Sequence, residues 1–254
     1  MKVIECLHTD SKCYKAAEHC TPVGIVVHST GANNPNLKRY VQPSKSDPNY
    51  DELIAVIGLN KNGNSWNRSV NKAVHYFIGK LADGSVGTAH VLPETNCAWG
   101  VGKGKKGSYN YNPIAHIQFE VCEDDLKNAT YFNNIYTEAV ALCADICKRW
   151  GWKSSVIVSH NEAYKKGYAS NHSDIDHWLK KYGKTMKDFR KDVDNVLQGG
   201  AAKYRVHVVV KGDSLWKLAK KYLGSGVKYP EIKKLNGLKS NNIMPGQKLY
   251  IPNK

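Results

Sequence analysis

"IAHIQFEVCEDDLKNATYFNNIYTEAVALCADICKRWGWKSSVIVSH", residues 114–160, carries a strand, a helix and a second strand in that order. In IAHIQFEVC the apolar residues alternate, so that Ile117, Phe119 and Val121 share one face while His116, Gln118 and Glu120 share the other. That is the two-residue period of a strand. In NNIYTEAVALCADICKRWG, Ile135, Ala139, Leu142, Cys143, Ile146 and Trp150 recur at helical spacing, and Gly151 supplies a stop. SSVIVSH then reads as a short strand ending at His160. Strands alternating with helices in this way predict an α/β domain with a mixed central sheet flanked by helices.

The same alternation continues on both sides. Upstream, VGIVVHST is a buried, β-branched strand ending at His28, and residues 73–92 form a hairpin turning at Asp83-Gly84. Downstream, TMKDFRKDVDNVL predicts a last helix, and QGGAAK, 198–203, is a small-residue linker. A compact unit follows with strand–helix–helix–strand (βααβ) order, in which Asp213-Ser214 is a helix N-cap and Gly224 a stop. The predicted organisation is a domain at 1–197, a linker at 198–203 and a small domain at 204–254.

The formal charge is +15, and its distribution is uneven. From residue 196 onward there are 12 Lys and Arg against only Asp213 and Glu231. A basic tail of this kind suits a polyanionic partner: nucleic acid, membrane or bacterial cell wall. No recognisable nucleic-acid-binding motif accompanies the charge. The longest apolar runs are strand-sized, which argues against membrane insertion. The N-terminus MKVIECLHTDSKC lacks the apolar core and cleavage site of a secretory signal. The seven cysteines show neither zinc-ribbon nor redox CxxC spacing, so core packing is their expected role.

Ligands in open α/β sheets gather where strands end, which singles out His28 and His160 among the ten histidines. With an acid or histidine from 172–177 they would supply the three protein ligands of a catalytic zinc site. Hydrolysis also needs a base for the attacking water. Glu120, on the polar side of its strand, suits that role as well as it suits an edge ion pair. His75, His90 and His116 read as structural. No G-x-S-x-G elbow exists, and VGKGKKG at 101–107 is not a Walker loop.

VHST, VHYFIGKLADGSV, CAWGVG, IQFEV and SH…NHSDIDHW occur in order over about residues 20–180. This set resembles the zinc-dependent N-acetylmuramoyl-L-alanine amidases related to peptidoglycan recognition proteins, a family that includes phage endolysins. VVVKGDSLWKLAKKY and NNIMPGQKLYIP resemble a LysM module. The first resemblance implies Zn2+ held by His28, His160 and Asp174, with Glu120 and His172 as catalytic groups. His172 remains an alternative to Asp174 as third ligand. It further implies cleavage of the bond joining N-acetylmuramic acid to L-alanine. The LysM resemblance implies glycan contacts at Gly212, Asp213, Ser214, Asn242 and Ile243. Together they imply a monomeric wall hydrolase with peptidoglycan as partner. Such a chain would be made in the cytoplasm without a leader and act at the wall after holin-type release. The rival expectation is a non-catalytic peptidoglycan-binding protein on the same scaffold.

Overall fold

The computed structural model describes residues 3–61, 71–199 and 204–252. Six strands, β1 (Val3–Glu5), β2 (Ile25–Ser29), β3 (Tyr76–Lys80), β4 (Val86–His90), β5 (Ile117–Val121) and β6 (Ile157–Ser159), form one sheet. Their spatial order is β1-β4-β3-β5-β2-β6. β3 and β4 pair antiparallel, as the Asp-Gly turn predicts, and every other neighbouring pair is parallel. Around the sheet lie α1 (Lys12–Ala16), α2 (Tyr50–Ile57), α3 (Ala129–Trp150), α4 (His160–Lys166), α5 (Asp176–Lys181) and α6 (Met186–Leu197).

The alternation in β5 divides the molecule into two layers. Ile117, Phe119 and Val121 join Ile25 and Val27 against Ile135, Leu142 and Ile146 of α3, Trp178 of α5 and Phe189 of α6. Each fully buried side chain of this size contributes about 1.5–3 kcal/mol. On the opposite face Val26, Gln118, His28 and Glu120 point away from that core. Apolar clusters built on Val26 with Val101 and on Phe77 with Leu37 and Ile57 also lie on this face.

Two boundaries differ from the sequence expectation. α3 begins at Ala129 rather than near Asn133, because the Asn128 side chain caps it by accepting the Tyr131 N–H. β6 stops at Ser159, so His160 is the first residue of α4 rather than the end of a strand. The cause is a capping box: Ser159 Oγ accepts the Glu162 N–H, while Glu162 accepts the Ser159 N–H.

The C-terminal unit has β7 (Tyr204–Val208), α7 (Leu215–Leu223), α8 (Tyr229–Leu235) and β8 (Lys248–Pro252), with β7 and β8 antiparallel. Its own core includes Leu215, Leu218, Ile232, Leu249 and Ile251. Residues 200–203 of the predicted linker lie outside the described residues.

Candidate metal centre and active site

β2 and β5 run parallel in a register that sets His28 beside Glu120, so the strand pairing itself places a ligand candidate next to a base candidate. His160 arrives from the capped start of α4. Arg190 of α6 steadies that start by gripping Glu162 through two hydrogen bonds of 2.8 and 3.0 Å. Asp176 accepts the Ser159 hydroxyl at 2.6 Å, tying the same cap to α5. Asp174 comes from the segment between α4 and α5, and its Oδ2 accepts the Ser29 N–H at 3.4 Å.

These elements bring three donor atoms together. His28 Nδ1 lies 3.0 Å from His160 Nδ1 and 3.2 Å from Asp174 Oδ2, and His160 Nδ1 lies 3.6 Å from the same oxygen. Both imidazoles are buried. A neighbouring network fixes their protons. The Val101 N–H donates to Asn110 Oδ1, so this oxygen also receives Gln118 Nε2–H at 2.9 Å. Gln118 therefore turns its carbonyl oxygen to His28 Nε2, 3.2 Å away, and that nitrogen must carry the proton. His160 Nε2 faces the Ser170 carbonyl oxygen at 3.1 Å and is protonated for the same reason.

Both Nδ1 atoms thus present bare lone pairs to one another and to a carboxylate. Burial lowers the His28 pKa, against the opposing pull of Asp174. Burial alone would raise the Asp174 carboxyl, but a proton on either facing His160 or His28 nitrogen, the place a bound cation would take, holds it well below the usual carboxylate range. Two neutral imidazoles and one carboxylate, at separations suited to donors each about 2 Å from one small ion, fit zinc. The residues present therefore match the group that the sequence resemblance implies.

Glu120 is buried, and among the described residues its Oε2 has no hydrogen-bond partner. Burial first, then the negative charges of Asp174 and Glu123, push its pKa well above the ordinary value. His172 stands apart from the three converging atoms. Its side chain is 63% exposed, its Nδ1 is 3.9 Å from Asp174 Oδ1, and its ring lies 4.9 Å from that of His160. It overlooks the centre from the solvent side.

Several supporting residues were not singled out by sequence reasoning. Glu123 accepts the Ser29 hydroxyl and pairs with His177 Nε2 at 3.0 Å, linking the end of β5 to α5 directly beyond Asp174. This pairing raises the His177 pKa. Asn110 and Gln118 act through the proton on His28. Only Gln118, on the polar face of a strand, carried a usable signal. His75 hydrogen-bonds Asn96 O and the Gln118 N–H, and burial pushes its pKa down to about 4. Both of its ring nitrogens are thus engaged inside the domain.

In the C-terminal unit Gly212 adopts φ +94° in the turn before α7, and Ser214 caps that helix. Asp213 accepts the Val210 N–H and faces His207 Nε2 at 2.7 Å. Asn242 is exposed and Ile243 half-buried.

The curated proteins SpoIVD-associated factor A of Bacillus subtilis and spore coat assembly protein ExsA of Bacillus cereus are 54% and 50% identical over 50 and 52 residues. The matches span only 12% and 8% of those proteins' lengths. Among solved structures, Staphylococcus aureus hydrolase AmiA in complex with its ligand is 18% identical with a TM-score of 0.48, covering 80% of this chain and 87% of that one. The structure of PlyL is 17% identical at the same TM-score, covering 76% and 97%. Residues 207–252 match the LysM domain, and residues 19–176, more than half of the chain, match the N-acetylmuramoyl-L-alanine amidase family. The chain belongs to that amidase family and carries a LysM domain behind the amidase domain.

Proposed function

We propose that this protein is a zinc-dependent peptidoglycan hydrolase cutting the amide between N-acetylmuramic acid and the L-alanine of the stem peptide. The observation that carries the reading is the cluster of His28, His160 and Asp174, whose three lone pairs face one another with both imidazole protons committed elsewhere. A zinc ion held there would act as a Lewis acid on the lactyl carbonyl and on the attacking water.

The remaining steps belong to the protein. Glu120, beside His28 across the β2–β5 pairing, takes the proton from water and later delivers it to the departing amine. Its raised pKa is the direction a base working near neutrality needs. An imidazolium at His172 would share the charge developing on the carbonyl oxygen. Gln118 and Ser170 hold the two ligand imidazoles in one tautomer and orientation.

Residues 1–197 form the catalytic domain in this reading, 198–203 the linker and 204–254 the wall-binding domain. Gly212, Asp213, Ser214, Asn242 and Ile243 would meet glycan. Retention on a polymer raises the local concentration of cleavable bonds. No helix among the described residues is long and apolar enough to cross a membrane. An endolysin released to the wall fits this assembly.

Mass spectrometry of digested peptidoglycan tests the reading. Stems with free L-alanine N-termini, intact glycan strands and loss of the products on chelation are expected. Binding to the wall without release of amino groups would instead establish the non-catalytic alternative.

A further inference from the structure

A cavity adjoins the metal centre through Ser170. It has a volume of about 710 Å³, and its lining includes Lys103, Lys105, Lys106, Lys165 and Lys166 together with Ser170. No Asp or Glu lines it, and among the described residues none of the five lysines pairs with a carboxylate. Tyr164 supplies an aromatic wall. The volume is that of a cavity for a ligand of a few residues rather than for an ion.

The two segments that carry the lysines are locked together. The Lys106 N–H donates to Gly167 O and the Ser170 N–H to Val101 O, each at 2.8 Å. A Cβ on Gly104 would stand 2.3 Å from Gly167 O, so only glycine allows this approach. The cavity is therefore preformed, which lowers the ordering cost of a ligand. Ser170 joins cavity to centre, since its carbonyl receives the His160 Nε2 proton.

We infer that this cavity is a subsite for the stem peptide's carboxylates, making the enzyme selective for stems whose carboxyls are free rather than amidated. The inference rests on the amidase reading above. In peptidoglycan the lactyl carboxyl of muramic acid is consumed in the amide to be cut, and the sugars otherwise offer neutral hydroxyls and acetamides. The anionic groups of the substrate therefore lie on the stem. Its γ-linked glutamate, next after the L-alanine, leaves an α-carboxylate. At about 3.3–3.6 Å per extended residue, that group falls within one or two residues' reach of the scissile carbon. Five lysines without a carboxylate ion pair among the described residues line a cavity that reaches the centre through Ser170, and their summed positive potential would attract that carboxylate.

The test uses the full chain loaded with zinc and two muramoyl peptides that differ only in free or amidated carboxyls. Cleavage and, separately, binding of the two corresponding stem peptides are measured for the wild type and for a variant with all five lysines changed to glutamine. Exposed substitutions of this kind leave folding nearly unaffected. The wild type is expected to favour the free-carboxyl substrate by on the order of tenfold, mainly through KM, and the variant's ratio should fall toward one. Equal cleavage and equal binding of the two peptides by the wild type would overturn the subsite while leaving the amidase reading intact. Cleavage of neither substrate, with a lysine-dependent preference in binding, would overturn the amidase reading and retain the subsite. Walls with and without phosphodiester polymers form the final arm. A variant that keeps its peptide ratio but loses retention only on polymer-bearing walls would reassign the lysines to phosphate and overturn the inference.

Discussion

Gly100 lies so close to Gln118 that a Cβ on the glycine would stand 2.3 Å from the glutamine Oε1. That oxygen is the one that fixes the proton on His28. Gly100→Ala must therefore displace Gln118 or the backbone beside it, and His28 loses the partner that holds its tautomer. Zinc affinity should fall about 10–100-fold, the usual effect of removing such a partner. A chelator competition titration reads this directly. Unchanged affinity would mean that Gln118 does not orient the ligand.

Asp174 and His172 are separable by pairing metal content with rate. Asp174→Ala should abolish stoichiometric zinc, measured by elemental analysis. His172→Ala should keep the metal and lose turnover. The reverse pattern would make His172 the third ligand.

Glu120→Gln should lower the rate by about 10²–10⁴-fold, the range for loss of a general base. It should not lower the melting temperature, because the carboxyl it replaces is buried with one oxygen unpaired among the described residues. A variant that is both slow and unstable would point to a structural role.

Glu94 sets an acid limb of stability. It receives two hydrogen bonds from Arg149 at 2.7 and 2.8 Å, one from Trp150 Nε1 and one from Tyr76 Oη. Burial alone would raise its pKa, but these donors bring it from 4.5 down to about 2. A carboxyl with a depressed folded-state pKa stabilises the fold above its unfolded value and loses that contribution as pH falls toward the folded one. The stability gap between wild type and Glu94→Gln should thus close between pH 4.5 and about 2, followed by thermal melts. A constant gap across that window would remove Glu94 as the cause.

The alternation of IQFEV was enough to place Gln118 and Glu120 on one face, and VGIVVHS marked His28 as a strand-end residue, but only the pairing of β2 with β5 sets His28 beside Glu120. The opening of α4 was also written locally, in the SHNE pattern of a capping box, but the apolar run before it suggested a strand continuing to His160. Other features had no local signature. β1 pairs in parallel beside β4 although more than seventy residues separate them in the chain. The protons on the histidines depend on Asn110, Val101 and Ser170, which meet them only after folding. Glu123 sits just past the strand whose periodicity drew attention, and its partners Ser29 and His177 are remote in sequence.

The three converging donors also have a mechanical consequence. His28 is 132 residues from His160 and 146 from Asp174, so an ion shared among them would act as a clasp across most of the amidase domain. Closing loops of that length removes conformational freedom from the unfolded chain, much as a long-range disulfide does. Stripping the ion should therefore loosen β2, α4 and the 167–175 segment together, and hasten digestion by proteases.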